Sequence, residues 1–319
     1  MANSLYGSPP LYLTGAVGAG KTTFLQGFGA ALDLPGDVLS PTFALAHPHL
    51  GRDGSVRVTH IDLYRLDEEQ ARSFMDRLSW EGMLWTEWAD RLPRESWQEK
   101  HIHAHLADDG TGRRLELAFA DAALPSSDQI DAWRAEVGTP PNVIEHCEAV
   151  GRIAKALAEE LIARGQVVRP ALCESGGRVH DMLRFVDFLP GKGSPSDSAL
   201  EGRWDEWRTR FAGLRHEAAV ALFLRDRGFP ELSEAVRTHG SLPAEERLTT
   251  EQKLVFYADK RAIGDRVVSS AERFEDFRVR YAGSGQTDTW MEQTVALEHE
   301  LFPGGAPDLA PLRATATGA

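Results

Sequence analysis

Cysteine is nearly missing: Cys147 and Cys173 are the only two in 319 residues, so no disulfide framework holds the fold. Basic residues are outnumbered, 35 Lys and Arg against 48 Asp and Glu, with a formal net charge of -13. That balance excludes broad affinity for nucleic acid, because neutralising phosphates needs a basic face. Any RNA in this protein's biology is expected to be held by a partner, with no direct RNA binding. No apolar run is long enough to span a bilayer, and the first residues lack a basic segment followed by an apolar stretch. The expectation is a soluble, cytoplasmic protein without a membrane partner. Internal repeats are lacking too, and low complexity is confined to residues 303–319, rich in Gly, Pro, Ala and Thr.

The hydrophobic share of 42% is ordinary for a globular chain, and the length suggests roughly two domains, each able to bury a core. One stretch organises the first half. Gly15, four residues, then Gly20, Lys21 and Thr22 have the spacing of a phosphate-binding loop, with Leu11, Tyr12 and Leu13 reading as a buried strand and residues 23–32 as a helix. Small residues at Gly15, Gly18 and Gly20 let the N–H groups of the loop, through Ala16, Val17 and Ala19, turn inward toward an anion at a helix N-terminus. Lys21 is placed for the outer phosphates. The Thr22 hydroxyl is placed for Mg²⁺, and Thr23 follows in the first helical turn.

Further pieces suit the same site. In Ser40-Pro41-Thr42-Phe43, Pro41 pushes the backbone extended and Thr42 presents a hydroxyl where a switch loop would sit. Val56, Val58 and His60 alternate with polar residues and lead to Asp62, which is either a carboxylate for the Mg²⁺ shell or a solvated strand end. The run Met83-Leu84-Trp85-Thr86 ends in Glu87 and Trp88. Glu87 is placed to orient an attacking water, and Trp88 reads as core or as a platform for a nucleotide base.

Together, the loop through Thr23 with Phe24 and Gly27, then Ser40-Pro41-Thr42-Phe43, His60-Ile61-Asp62-Leu63-Tyr64-Arg65-Leu66 and Glu87-Trp88, resemble the TsaE family, small ATPases of bacterial threonylcarbamoyladenosine tRNA modification. The resemblance covers about residues 1–110. It implies an α/β P-loop fold with a mostly parallel sheet, ATP with Mg²⁺, Thr42 in a switch, Asp62 as the magnesium-side carboxylate and Glu87 as the catalytic one. TsaB- and TsaD-like proteins are the implied partners.

Residues 115–119 read as a last strand. Pro125, Ser126, Ser127, Gly138, Pro140 and Pro141 then suggest a linker with one short helix near 128–136. The expected division is 1–124 P-loop domain, 125–140 linker, 141–290 helical domain and 291–319 a C-terminal segment with a flexible tail.

Past Pro141 the periodicity becomes helical. Val150, Ile153, Leu157 and Leu161 form one stripe, which His146 shares. A helix opened by Pro170 runs through Gly176 and Gly177, small enough for close packing, to His180 and Asp181. His216 precedes Val220, Phe223 and Leu224; His239 follows Leu232, Ala235 and Val236; Asp259 shares a face with Val255, Ala258 and Ala262. Singly, each is compatible with a satisfied core residue. Burying so many ionisable groups unpaired is costly, and one metal centre satisfies them together. Mixed N and O donors suit one or two ions of Fe, Mn, Co, Ni or Zn rather than Ca²⁺.

The order His146, His180-Asp181, Asp259, with His216 and His239 between, resembles the HD superfamily of metal-dependent phosphohydrolases over about residues 140–285. The resemblance implies an all-α bundle in which His146, His180, Asp181 and Asp259 hold one metal and Asp181 bridges to a second held by His216 and His239. Water activated at that pair would attack phosphorus. Arg184 stands where some branches carry a lysine and is the first candidate for a catalytic, phosphate-facing cation, ahead of Lys192, Arg237 and Lys260. His47, His49, His101, His103 and His105 read as surface or strand residues. The whole is expected to be a bifunctional nucleotide enzyme: an ATPase joined to a phosphomonoesterase acting on nucleotides such as AMP. Two alternatives stay open, an ATP-driven partner module with a regulatory HD half, and a nucleoside or nucleotide kinase paired with an HD phosphatase.

Overall fold

The computed structural model describes residues 9–188, 200–240, 242–280, 286–309 and 311–312. The chain divides into two compact units, Met1–Ala122 and Ala123–Ala319. Among the described residues no helix is long and apolar enough to cross a membrane.

In the first unit β1 (Leu11–Thr14), β2 (Ala46–Leu50), β3 (Val56–Asp62), β4 (Met83–Glu87), β5 (His101–Asp108) and β6 (Arg113–Ala120) form a sheet in the order β2-β3-β4-β1-β5-β6. The inner pairings are parallel and the two outer ones antiparallel. The central strand is apolar on both faces, as a covered parallel strand must be. Leu11 and Leu13 pack with Leu25 and Trp85 on the side of α1 (Lys21–Ala31), while Tyr12 packs with Ile61 and Ala71 on the side of α2 (Glu68–Arg77). The two helices start differently. Asp67 and Gln70 cap α2 reciprocally, whereas α1 starts at Gly20, with φ 100 and no side-chain cap. The first N–H groups of α1 are therefore left for an anion.

The second unit contains α3 (Ser127–Val137), α4 (Pro141–Ala163), α5 (Pro170–Val179), α6 (Glu201–Arg210), α7 (His216–Asp226), α8 (Pro230–Arg237), α9 (Thr250–Asp259), α10 (Ser270–Arg280) and α11 (Gln286–Leu301). Proline opens α4, α5 and α8, where its missing N–H costs no bond. A short hairpin, β7 (Ala262–Ile263) with β8 (Arg266–Val267), interrupts the helices. One close helix crossing depends on glycine: a Cβ on Gly177 of α5 would lie 2.6 Å from the Cα of Gly151 on α4. That approach brings the end of α5 near the first turns of α4.

Two expected boundaries differ. Residues 125–140, expected as a linker with one short helix, carry that helix as α3, and its Ile130, Trp133 and Val137 are buried in the core with Phe223 and Leu232. What differs is that the helix packs into the core of the helical unit. Residues 291–309 continue the helical unit, since α11 runs through position 290 and Phe302 and Leu309 pack with Leu157 and Tyr257. The rest of the expected flexible tail, from residue 313, lies outside the described residues.

Candidate functional sites

The first site grows from the sheet register. In the parallel pairing Asp62 stands opposite Glu87, and Glu87 opposite Leu13, so both carboxylates leave the sheet at the strand ends where the loop to α1 begins. A cavity of about 410 Å³ opens there, lined by Lys21, Thr22, Thr42, Asp62, Glu87 and Trp88 among others. Gly18, Gly20 and Thr23 also line it, as does Val17, which is largely exposed. The Lys21 ammonium folds back, donating to the carbonyls of Gly15 at 2.6 Å and Ala16 at 3.0 Å, and lies 3.6 Å from the Trp88 ring centroid. Burial pushes its pKa down, against the pull of Glu87, Asp90 and Asp62. Trp88 has φ 58, a left-handed conformation costly for a bulky residue, and its ring meets Tyr64 at 4.8 Å.

Hydroxyls partner the carboxylates. Thr22 Oγ1 lies 2.9 Å from both oxygens of Glu87, while Ser40 and Thr42 donate to Asp62 at 2.5 and 2.6 Å. His60, quoted in the motif without a role, is buried with Nε2 3.0 Å from Glu87 Oε1 and Nδ1 3.4 Å from His49 Nε2. Its place in an alternating strand revealed only which face it occupies. His47 and His49 lie on β2, and His101, His103 and His105 on β5.

The second site gathers histidines from four helix ends. His146 comes from α4, His180 from just after α5, His216 from the start of α7 and His239 from just after α8. One ring nitrogen of each meets an acceptor: His180 Nδ1 donates to Gly177 O at 2.7 Å, His239 Nδ1 to Val236 O at 2.6 Å and His216 Nδ1 to Asp187 at 2.7 Å, with His146 Nδ1 3.3 Å from Gly264 O. Each Nε2 is then left for the shared centre, which is how outer partners orient imidazole ligands. His146, His180 and Asp181 offer donor atoms within 4.8 Å of one another, as do Asp181, His216 and His239. Asp181 is common to both sets.

The donors fit a metal pair. His180 Nε2 is buried and has no hydrogen-bond partner among the described residues, an arrangement an ion would satisfy. Burial holds the His180 pKa down at about 3, so its ring is neutral. Burial alone would raise Asp181, but the charges of Arg184 and His216 beside it outweigh burial and keep the carboxylate charged. At His216 burial opposes the proton, yet Asp181 and Asp187 hold its pKa above the usual range. Asp259 meets His146 Nε2 at 3.0 Å and carries Lys260 and Arg273 on its oxygens.

Arg184 lies against the centre, with Nη1 2.8 Å from His216 Nε2. Lys260 lines the same cavity. Arg237 does not come to the site; it pairs with Glu234 and Glu246 at the surface. Lys192 lies outside the described residues. Sequence reasoning missed Asp187, at the end of the short turn Arg184–Asp187, and Arg273 of α10. Neither stands in a motif or a periodic stripe.

A strand, a glycine loop and an uncapped helix around a carboxylate-lined cavity define a P-loop nucleotide-binding unit, followed in the same chain by a helical unit with a histidine–aspartate centre. Residues 1–115 match the family model described as Threonylcarbamoyl adenosine biosynthesis protein TsaE, and residues 143–263 match the HD domain model. The chain belongs to the TsaE family through its first half and carries an HD domain after it. A tRNA threonylcarbamoyladenosine biosynthesis protein TsaE of Nostoc sp. is 30% identical over 123 residues, 37% of this chain and 74% of that protein. Its counterpart in Aquifex aeolicus is 39% identical over 93 residues, 28% of this chain and 65% of that protein. In Synechocystis sp. the match is 34% identical and spans 26% of this chain and 56% of the relative. A crystal structure of Bacillus subtilis YdiB aligns at 26% identity over 35% of this chain and 66% of that one, with a TM-score of 0.27, which carries no argument about fold.

Proposed function

We propose that the chain is a bifunctional nucleotide enzyme, hydrolysing ATP at the P-loop site and a phosphomonoester, such as a nucleoside monophosphate, at the HD site. The observation that carries this reading is the paired donor sets of the second unit: four histidines turned Nε2-inward around Asp181, in a chain whose first unit holds Lys21, Thr22, Asp62 and Glu87 around one cavity. In the first site the Lys21 ammonium leaves the carbonyls of Gly15 and Ala16 for the outer phosphates of ATP. Thr22 and Asp62 would hold Mg²⁺, which when bound neutralises phosphate charge. Glu87, kept in place by His60, orients the attacking water and accepts its proton. Ser40 and Thr42 hold Asp62 and so tie the switch segment to the same carboxylate.

In the second site His146, His180, Asp181, His216, His239 and Asp259 would hold one or two transition-metal ions, which when bound activate water and polarise phosphorus–oxygen bonds. Asp187 keeps a proton on His216 Nδ1 and so frees Nε2. Arg184 and Lys260 offer charge to the substrate phosphate. The protein's metal content and its phosphate release from a nucleotide panel test the reading. ATP turnover is expected to vanish in Lys21→Ala alone and monophosphate hydrolysis in Asp181→Ala alone. Monophosphate release that survives in Asp181→Ala, or a metal-loaded protein that releases phosphate from no monophosphate, overturns the second activity.

One observation favours a second reading of the first unit. Val17, Leu39 and Phe43 are exposed at 73%, 67% and 85%, and Val17, with the neighbours Ser40 and Thr42 of the other two, lines the nucleotide cavity. Apolar residues on the switch segment suit a surface whose partner binding follows the nucleotide state. In that reading the ATPase drives engagement with TsaB- and TsaD-like proteins in tRNA modification. ATP-dependent co-elution with such proteins, lost in Phe43→Ser while basal ATP turnover persists, supports it; absence of complex at micromolar concentrations counts against it.

A further inference from the structure

The HD match ends at residue 263, but the cavity at the histidine–aspartate cluster does not. Of its lining residues, Arg273 and Phe277 come from α10 and Trp290 from α11. The cavity has a volume of about 70 Å³. That is room for a phosphate group and little more, so the remainder of any phosphomonoester must pass the cavity's rim.

The walls differ in chemistry. Arg184, Arg215, Lys260 and Arg273 face the cavity against the carboxylates Asp181, Glu217 and Asp259. Cations therefore outnumber carboxylates before any metal charge is added, which suits an anionic group. Arg273 is buried, its Nε has no hydrogen-bond partner among the described residues, and its guanidinium carbon lies 4.3 Å from the Phe277 ring centroid. The remaining wall is aromatic. Phe277 and Trp290 meet at 5.3 Å, and the Lys260 ammonium lies 5.7 Å from the Trp290 ring centroid. A cation within reach of an indole places phosphate recognition and a flat apolar surface a few ångströms apart.

We propose that α10 and α11 make the HD site selective for phosphomonoesters that carry a flat aromatic ring: Arg273 takes the phosphate with Lys260, and Trp290 with Phe277 receives the ring. The inference rests on the phosphohydrolase reading and names its substrate class. The base of a nucleoside monophosphate has this chemistry, as does a simple aryl phosphate, whereas a sugar phosphate lacks the ring.

Steady-state hydrolysis of AMP, 4-nitrophenyl phosphate and ribose 5-phosphate by the metal-loaded protein tests it. Trp290→Ala is expected to raise KM about 10-fold for the two ring-bearing substrates and to leave ribose 5-phosphate unchanged, while Trp290→Phe stays close to wild type. Arg273→Gln is expected to raise KM for all three alike. Loss of aryl phosphate selectivity with AMP unaffected assigns the ring site to a simple aryl group; the reverse assigns it to a base. An equal effect of Trp290→Ala on all three substrates, or none on any, overturns the proposal.

Calorimetric titration gives a readout apart from turnover. Wild type is expected to bind AMP about 10-fold more tightly than ribose 5-phosphate, and Trp290→Ala to bind the two equally. Equal binding by wild type overturns the aromatic wall. If wild type discriminates between the ligands but hydrolyses none of the three substrates, the phosphohydrolase reading fails while the aromatic wall stands as a binding site.

Discussion

Glu87 divides its carboxylate between Thr22 Oγ1, 2.9 Å from both oxygens, and the buried His60 Nε2, 3.0 Å from Oε1. When Thr22 turns to a bound cation, His60 becomes the remaining anchor among these two. His60→Ala is therefore expected to lower ATP turnover about 10- to 100-fold, the scale of a small misplacement of a reacting group, with KM nearly unchanged. Steady-state kinetics decide it: a matching rise in KM with turnover intact would mean that His60 serves nucleotide binding instead. His60→Gln, which keeps a donor, is expected to recover part of the loss. Gly240 shows the same economy in the other unit, since a Cβ there would run into the Glu217 carboxylate beside His216.

Among the helices, the candidate metal site depends on how closely α4 and α5 approach. Gly177 and Gly151 meet backbone to backbone, and His180 follows α5 by less than a turn. Gly177→Ala is expected to force the helices apart, at a cost of about 1–3 kcal/mol for an overpacked core position. It should also draw His180 away from His146 and Asp181. A lower urea midpoint together with reduced metal content, read by elemental analysis of the purified protein, is the expected outcome. Full metal content at unchanged stability would show that the crossing relaxes without moving the ligands. No such sensitivity is expected of α2, whose capping box and exposed face lie in the other unit.

For the molecule as a whole, acid should weaken the first unit from about pH 6.5 downward. Burial, followed by the charges of His60 and His47, holds His49 down at about 4; burial, then Arg94 and His105, does the same for His103. Both rings are neutral when folded, and the unfolded chain takes up their protons below about 6.5. Their contribution is thus full above pH 6.5 and is lost as pH falls toward about 4, with a slope for each histidine below the roughly 1.4 kcal/mol per pH unit of an unscreened group, because solvent screens both rings. Urea midpoints of the first unit at pH 7, 5.5 and 4.5 check this. His49→Gln should roughly halve the fall, and an unaltered fall would place the acid sensitivity elsewhere.

Much of this organisation is local in the chain and so is written in the sequence. A phosphate loop needs small residues, Lys21 and Thr22 at fixed offsets between a strand and a helix, and those offsets are visible without any fold. The stripe of α4 and the order His146, His180-Asp181, His216, His239, Asp259 are visible for the same reason, because helical period and residue type suffice to put them on inward faces. The helix of α3 was legible too, but the turn-forming residues at its flanks read as a linker, and its place in the core through Ile130, Trp133 and Val137 was not. Only the tertiary structure decided which groups meet across distance. His60 reaches Glu87 from 27 residues away, Asp187 reaches His216 from 29, and Arg273 reaches Asp259 from 14. Periodicity tells which face a residue occupies, but strand register and helix crossing set what stands opposite, and these arise from packing that no short stretch of the chain contains.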